Sequence, residues 1–193
     1  MAVRALVAEP VVAAAPRDPD RELVAAARAD ATQFVALYER YFTRVHRYVR
    51  VRIADRAACE DVTSDVFLTA LSKLGAFRGS GSFAAWLFRI AQNAVRDQQR
   101  RRPATPFAEE ALATLVDPDP EPDEQALRGE RLQLLRSLVA ELSGEQQELL
   151  ALRYGAGLRA GEIAELLGKT PVAVRVALHR VLNDLRRRYT DED

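Results

Sequence analysis

The sequence predicts an all-α protein built from two small helical domains that are joined by an acidic, proline-rich linker. Apolar residues recur at three- and four-residue spacing through residues 20–102 and again through residues 128–193, as amphipathic helices require. Residues 103–127 contain five prolines, and all seven of their charges are negative, so this stretch cannot bury enough surface to fold alone. No segment reads as a credible strand. Residues 1–19 are expected to form a disordered tail.

The net charge of zero hides an uneven distribution. The chain has 28 Lys+Arg and 28 Asp+Glu. Residues 1–102 carry 17 basic and 11 acidic side chains, a net of +6, whereas residues 128–193 carry 11 and 10. The chain therefore has a basic first part, an acidic middle and a balanced end. This distribution of charge says more about the binding partners than the net charge does.

Several kinds of site are excluded by the residue inventory. Cys59 is the single cysteine, and His46 and His179 are the only histidines, so neither an internal disulfide nor a Cys/His zinc site is expected. The GKT at residues 168–170 is not a P-loop, because Ile163 stands where that motif requires glycine. We expect no metal, no cofactor and no catalytic residue, and therefore no enzyme.

The sequence also predicts where the protein works. No apolar run approaches the ~20 residues that a membrane-spanning helix needs. The first residues lack a basic segment followed by a clean apolar core, so a signal peptide is not expected. We expect a soluble cytoplasmic protein without membrane insertion.

The first domain is expected to contain four helices. They are predicted at Asp20–Arg28, Ala31–Ile53, Arg56–Leu74 and Phe83–Arg102, with a glycine-rich loop at Gly75–Ser82. The second helix has an apolar stripe of Phe34, Leu37, Tyr38, Tyr41, Val45, Tyr48 and Val49. Its arginines at 40, 44, 47 and 50 form a row that favours a solvated face, with an acidic surface or phosphate as the alternative partner. In the third helix Phe67 and Leu71 widen an apolar stripe of Val62, Val66, Ala70 and Leu74.

The second domain is expected to end in a helix-turn-helix, Arg159–Arg188. Helices resume at Arg128, and Ser143 with Gln146 predicts a capping box for a helix over Gly144–Tyr154. In the last helix an apolar set points inward, formed by Val174, Leu178, Val181 and Leu185. A short helix, a turn at Gly168 and an exposed second helix with basic ends suit a DNA major groove, although an ordinary αα-hairpin has the same outline.

Three motifs, in this order, carry a resemblance to a known family. They are CEDVTSDVFLTAL, FRGSGSFAAWLFRIAQNAVRDQQRRR, and LSGEQQELLALRYGAGLRAGEIAELLG followed by a helix with Leu-His-Arg. Together they resemble the sigma-70 family of bacterial RNA polymerase sigma factors, and the small two-domain extracytoplasmic-function (group 4) type is the close match. The resemblance covers about residues 22–102 and 130–188. It implies a factor that joins core RNA polymerase, recognises the −10 and −35 promoter elements and enables transcription initiation.

The resemblance assigns roles within the first domain. The positions that bind the clamp helices of the polymerase largest subunit are matched by Asp61, Asp65 and Phe67. The alternative for the two aspartates is a solvated helix face, and the alternative for Phe67 is packing in the core. Residues matching the −10 DNA surface are Phe77, Arg78, Ser80, Phe83, Trp86, Arg89, Asn93, Arg96, Asp97, Arg100 and Arg101. The loop within this set matches the segment that captures a flipped-out base, unless it is a plain interhelical loop. For Trp86 we favour core packing over contact with DNA.

The resemblance assigns the −35 element to the second domain. The matching residues are Thr170, Val172, Arg175, Val176, His179 and Arg180. Many family members carry Lys-Ser-Arg before Leu-His-Arg, whereas this chain has Arg175-Val176-Ala177, which favours phosphate and apolar contacts over base-edge hydrogen bonds. The acidic linker matches the segment that enters the polymerase active centre, or it is a solubilising spacer.

The implied partners are core RNA polymerase, through its clamp helices and flap, promoter DNA, and an anti-sigma factor or other regulator. Two other functions remain open. A stand-alone helix-turn-helix regulator would explain residues 130–188 but would leave the first domain without a role. A sigma-like interaction module that no longer initiates transcription is the other. It is compatible with Val176 and Ala177, which lack the polar groups that read base edges.

Overall fold

The first half of the chain folds into four helices, as predicted. The structure is a computed structural model that describes residues 18–79, 81–101 and 125–192. The helices are α1 (Arg21–Ala29), α2 (Phe34–Arg52), α3 (Arg56–Lys73) and α4 (Phe83–Arg101). Short 3₁₀ turns at Ala31–Gln33 and Leu74–Ala76 lie between them. The part of the chain that the structure describes contains helices and turns but no strand, and the all-α fold class is confirmed.

Local side-chain caps explain where these helices begin. The Asp55 carboxylate accepts a hydrogen bond from the backbone N–H of Ala58 at 2.7 Å, which satisfies one free donor of α3. The Asp30 carboxylate accepts hydrogen bonds from the Thr32 hydroxyl at 2.7 Å and from Thr32 N–H at 2.9 Å, and these two bonds lower the pKa of Asp30. The predicted α2 stripe is buried apart from Tyr38. It forms the centre of this half of the core.

Residues 125–192, the described part of the second half, contain four α-helices. They are α5 (Gln125–Ala140), α6 (Gly144–Leu150), α7 (Ala160–Leu167) and α8 (Pro171–Glu192). The predicted capping box is confirmed, because the Ser143 hydroxyl accepts from Gln146 N–H and the Gln146 side chain accepts from Ser143 N–H.

Two boundaries in the second half differ from the predictions. Helix α5 begins at Gln125, three residues inside the segment predicted as linker. The predicted helix Gly144–Tyr154 is α-helical only as far as Leu150, and it continues as a π-helical turn at Ala151–Gly155. The tail at 1–17 and most of the linker, including a weak turn predicted at 109–115, lie outside the described residues.

The two halves share one hydrophobic core. Tyr48 and Phe88 from the first half and Leu152, Leu158 and Ile163 from the second are fully buried in the same cluster. Helix α2 lies directly against the π-helical turn. A Cβ added at Gly155 would lie 3.3 Å from Val51 Cγ2 and 3.4 Å from Tyr48 Cα, so glycine permits this close approach.

The arginine row on α2 is not a solvated face, contrary to the prediction. Arg44 Nε donates to the Ala156 carbonyl at 2.8 Å, and Arg47 donates to the Tyr154 carbonyl at 3.3 Å. Arg40 pairs with the buried Asp20 at 2.9 Å. Arg44 and Arg47 join α2 to the second half because cations hydrogen-bond well to the free carbonyls at a helix end.

Candidate polymerase and nucleic-acid interfaces

The predicted polymerase-binding residues lie at the α2–α3 surface. Asp61 and Asp65 are exposed on α3. Phe67 is only 5% exposed, which favours the alternative of a core phenylalanine over a direct contact with the polymerase. Its ring lies 4.8 Å from the ring of Tyr38 and 6.3 Å from that of Phe42, both partly exposed. Phe67 therefore supports two aromatic side chains that solvent can reach.

An exposed apolar patch lies beside these carboxylates. We call it the α2–α3 patch; it consists of Val35, Tyr38, Phe42, Leu68 and Leu71. Leu68 is 65% exposed, and Leu71 is exposed although its spacing predicted burial. Clustered large apolar side chains at a surface mark interaction sites more often than singly exposed ones do. Val35, Phe42 and Leu68 were not predicted as surface residues from the sequence. They could have been found because they are large apolar residues that lie outside the buried apolar stripes of their helices.

The predicted base-capture loop stands on a cluster of aromatic rings. Phe83 is 0% exposed, and its ring lies 5.9 Å from Phe77 and 5.5 Å from Trp86. Phe77 is also buried. Because neither phenylalanine offers a ring face to solvent, the direct base contact predicted for them is not available in this arrangement. Trp86 packs against the core while remaining partly exposed, in agreement with the favoured interpretation.

Two carboxylates hold the backbone where this loop enters α4. Both carboxylate oxygens of Glu165, on α7, lie 3.0 Å from Ser82 N and accept its N–H. Asp18, just before α1, accepts from Phe83 N–H at 2.8 Å. Negative charge is favourable here because the first N–H groups of a helix lack intrahelical partners and carry the positive end of its dipole.

The outer face of α4 carries most of the predicted −10 residues. Arg78, before α4, is exposed, as are Asn93, Arg96, Asp97, Arg100 and Arg101 on the helix, whereas Ser80 lies outside the described residues. Arg100 is paired with Asp97. Arg89 also lies on this face, but its guanidinium donates to the carbonyls of Glu165 at 3.3 Å and Leu166 at 3.2 Å. Arg89 is therefore engaged by the C-terminal end of α7.

The helix-turn-helix has the predicted geometry. Gly168 ends α7 in the left-handed conformation with φ +64°, and the Thr170 hydroxyl accepts from Ala173 N–H at 3.2 Å to cap α8. The four inward residues of α8 are buried. All six predicted −35 residues are exposed: Thr170, Val172, Arg175, Val176, His179 and Arg180. Val172 and Val176 are 59% and 43% exposed, so α8 presents both apolar and basic groups.

A polar network crosses between the halves near α6. Glu148 accepts from the Tyr48 hydroxyl at 2.7 Å and from Gln92 Nε2 at 3.0 Å. Its carboxylate lies 3.7 Å from Arg52 Nη2, and the two side chains are only 13% and 11% exposed. Burial first, and then the negative charge of Glu148, raise the pKa of Tyr48 above its ordinary value. The Tyr48 hydroxyl thus stays protonated and remains a donor to Glu148.

The described residues contain neither a cluster that could hold a metal ion nor a helix that could span a membrane. Across residues 18–79, 81–101 and 125–192, no group of three or more His, Cys, Asp or Glu side chains could hold a metal ion. Among the helices in those ranges, none is long and apolar enough to cross a membrane.

Both halves match models of one protein family. Residues 37–105 match Sigma-70 region 2, and residues 132–185 match Sigma-70, region 4. The ECF RNA polymerase sigma factor BldN of Streptomyces coelicolor is 36% identical over 176 residues, which is 89% of this chain and 66% of BldN. The ECF RNA polymerase sigma factor ShbA of Streptomyces griseus is 36% identical over 150 residues, covering 72% of this chain and 78% of ShbA. The chain belongs to the sigma-70 family. Its relatives place it among the ECF sigma factors.

A solved structure agrees with this assignment. CnrH, in complex with the cytosolic domain of CnrY, superposes with a TM-score of 0.67 and 27% identity, covering 91% of this chain and 99% of CnrH. The chain spans 66% of the length of BldN, so the sigma-factor match does not extend over the whole of that relative. The region 2 match contains α4 and the α2–α3 patch except Val35, and the region 4 match contains the helix-turn-helix.

Proposed function

We propose that this sigma factor binds core RNA polymerase, places promoter DNA on two of its own surfaces and thereby enables transcription initiation. It acts by binding, and the polymerase performs catalysis. The observation that carries the proposal is that one chain combines a region 2 half, with an acidic and apolar protein-binding face, and a region 4 half with an exposed DNA-reading helix. A stand-alone helix-turn-helix regulator would need only the second half.

The polymerase contact is proposed to be the α2–α3 patch together with Asp61 and Asp65. Apolar side chains supply buried area, and exposed carboxylates beside them select a basic partner such as the clamp helices. CnrH is seen bound to the cytosolic domain of CnrY. By that analogy we propose that an anti-sigma factor or similar regulator also binds this chain, in the cytoplasm where the polymerase works.

The −10 contact is proposed to be the loop before α4 and the outer face of that helix. Exposed Arg96 and Arg101 are available for backbone phosphate, and Asn93 for a base edge or sugar. Phe77 and Phe83 act from beneath by fixing the loop, and the partly exposed Trp86 on α4 packs against both rings. Residues 20–102 would then form one functional domain and residues 128–193 the other.

The −35 contact is proposed to be the exposed face of α8. Arg175, His179 and Arg180 offer charged or polar groups, while Val172 and Val176 can contact the thymine methyl group in the major groove. Asn183 Nδ2 lies 2.9 Å from His179 Nε2, which orients the imidazole. Readout would thus combine a few polar contacts with apolar recognition of A·T pairs.

The polymerase contact can be tested by charge reversal. Asp61→Arg should abolish binding to purified core polymerase because it places a cation against a basic surface, while circular dichroism and the unfolding midpoint should stay unchanged since Asp61 is exposed. Glu22→Arg, an exposed charge reversal on α1 away from the α2–α3 patch, is the matched control. Undiminished binding by Asp61→Arg would remove this surface from the proposal.

A further inference from the structure

Asp18 lies outside the part of the chain that matches region 2, yet it contacts the start of the helix proposed to bind −10 DNA. The region 2 match covers residues 37–105, and Asp18 stands before α1. Its Oδ2 atom accepts a hydrogen bond from Phe83 N–H at 2.8 Å, across 65 positions of sequence. Phe83 is the first residue of α4, so the Asp18 carboxylate caps this helix from a separate segment.

The start of α4 depends on such an external acceptor. Ser82 precedes the helix, but its hydroxyl lies 3.5 Å from Ala85 N, which is longer than the usual hydrogen bond of a side-chain cap. The N–H of Ser82 is bonded by Glu165, which belongs to region 4. Asp18 therefore supplies, from within the first half, a charged acceptor for the first turn of α4.

A buried carboxylate fixes the position of Asp18. The Oδ1 atom of Asp18 accepts from Asp20 N–H at 3.2 Å, and its carbonyl accepts from Arg21 N–H at 3.1 Å. Asp20 is 0% exposed; its carboxylate accepts from the Tyr41 hydroxyl and pairs with Arg40 Nε at 2.9 Å. Because Asp20 is anchored to α2 in this way, the Asp18 carboxylate is aimed at α4 instead of turning freely in solvent.

The residue that Asp18 holds is central to the aromatic cluster beneath the loop. The Phe83 ring is fully buried and lies 5.9 Å from the ring of Phe77 and 5.5 Å from that of Trp86. Phe77 and Phe83 flank the glycine-rich loop, so fixing the Phe83 backbone fixes one end of that loop. It also fixes the first turn of α4, and with it the direction in which the outer face of this helix points.

We propose that Asp18 is a positioning residue for −10 recognition, which holds the loop and the first turn of α4 in the conformation that receives promoter DNA. The proposal rests on the proposed function, since it assumes that this surface binds −10 DNA. Asp18 acts through the Phe83 backbone. Its own negative charge repels phosphate, so its benefit to DNA binding comes from the hydrogen bond. Without that bond, only a fraction of the molecules have the competent loop, and the apparent affinity for DNA falls with that fraction.

The test uses the full-length chain bound to purified core polymerase, on a promoter library. Asp18→Ala removes both the charge and the acceptor, whereas Asp18→Asn removes the charge but keeps a carbonyl that can accept from Phe83 N–H. Glu22→Ala is the control, because it removes an equal charge from an exposed position on α1. For each variant, affinity for core polymerase is measured beside promoter opening, which is read from the permanganate reactivity of unpaired thymines. Trp86, the single tryptophan, reports the aromatic cluster in the free chain through its fluorescence.

Positioning predicts a selective loss of promoter opening. Asp18→Ala should open promoters on the order of 5-fold less well, the factor that corresponds to the loss of a typical helix cap, at unchanged affinity for core polymerase. Its Trp86 fluorescence should be quenched more readily by acrylamide than that of the parent. Asp18→Asn should retain most of the opening, and Glu22→Ala should match the parent.

Three outcomes would contradict the proposal. If Asp18→Ala opens promoters as well as the parent or better, Asp18 is only a negative charge near DNA, since removing a repulsive charge favours binding. If Asp18→Ala loses core binding and opening to the same extent, its role is confined to the stability of the fold. If the parent gives no opening on any promoter while it binds core polymerase, the proposed function itself fails, and the positioning role fails with it.

Discussion

Replacing Glu148 by leucine should separate the two halves of this sigma factor before either half unfolds. Glu148 is 13% exposed and is the shared acceptor for the Tyr48 hydroxyl and Gln92 Nε2, with Arg52 at 3.7 Å. Leucine fills most of the volume but accepts no hydrogen bond. Three donors on α2 and α4 would then face an apolar side chain.

The expected cost follows from these contacts. Removing one member of a buried ion pair costs about 3–5 kcal/mol, and the slight exposure of Glu148 and Arg52 favours the lower end, about 3 kcal/mol. If region 4 separates from the first half, water can hydrogen-bond to the donors that Glu148 has left unpaired. The destabilisation therefore cannot exceed the free energy that holds the two halves together. For a chain of this length a loss of about 3 kcal/mol corresponds to a fall in Tm of about 6–12 °C.

Thermal and denaturant unfolding of Glu148→Leu, followed by circular dichroism, would measure this effect. We expect the transition of the parent chain to move down and to divide into two as the halves lose their coupling. Glu145→Leu is the control: it makes the same substitution on the same helix at an exposed position, and it should stay within about 0.5 kcal/mol of the parent. A Glu148→Leu chain as stable as this control would refute the assignment of Glu148 as the bridge.

Four further predictions test individual surfaces. Phe83→Ala should cost about 3–5 kcal/mol in chemical denaturation, because the ring is fully buried; a loss below 1 kcal/mol would show a solvent-facing ring. Arg101→Gln should reduce the slope of log affinity for DNA against log salt by about 0.9, and an unchanged slope would exclude a phosphate contact. Arg175→Ala should weaken binding to −35 duplex by about 1–3 kcal/mol if the side chain reads a base edge, whereas an equal loss on all duplexes would show a phosphate contact only. Burial raises the pKa of Tyr41 and Tyr48, so these hydroxyls lose their protons at lower pH in the unfolded chain than in the folded one. The free energy of unfolding should therefore fall as the pH rises above about 10. A free energy of unfolding that does not change with pH in this range would contradict their burial.

Features encoded by neighbouring residues could be predicted from the sequence. The Ser143–Gln146 capping box, the Thr170 cap and the inward face of α8 all depend on spacings within one helix. The family resemblance extended the prediction to surfaces, and the −35 residues are exposed on α8 as expected. The two-domain all-α fold followed from the same periodicity.

Features that depend on the packing of distant helices could not be predicted. The sequence predicted that Arg44 and Arg47 face solvent. In the structure they donate hydrogen bonds to backbone carbonyls more than a hundred residues away, which no neighbouring residue indicates. The burial of Phe77 and Phe83 under their own loop, and the exposure of Leu68, likewise depend on how α3 and α4 pack. The π-helical turn at Ala151–Gly155 lies in close contact with α2, and no local sequence pattern encodes that contact.

The central claim is that this chain directs a polymerase to promoters through both of its halves. Run-off transcription with purified core polymerase across a promoter library tests it most directly. The account predicts transcripts only when the chain is present, from templates that share one −10 and −35 pair, and their loss with Asp61→Arg. Specific binding to duplex DNA without any transcript would contradict the account and would instead identify a helix-turn-helix regulator that works without polymerase.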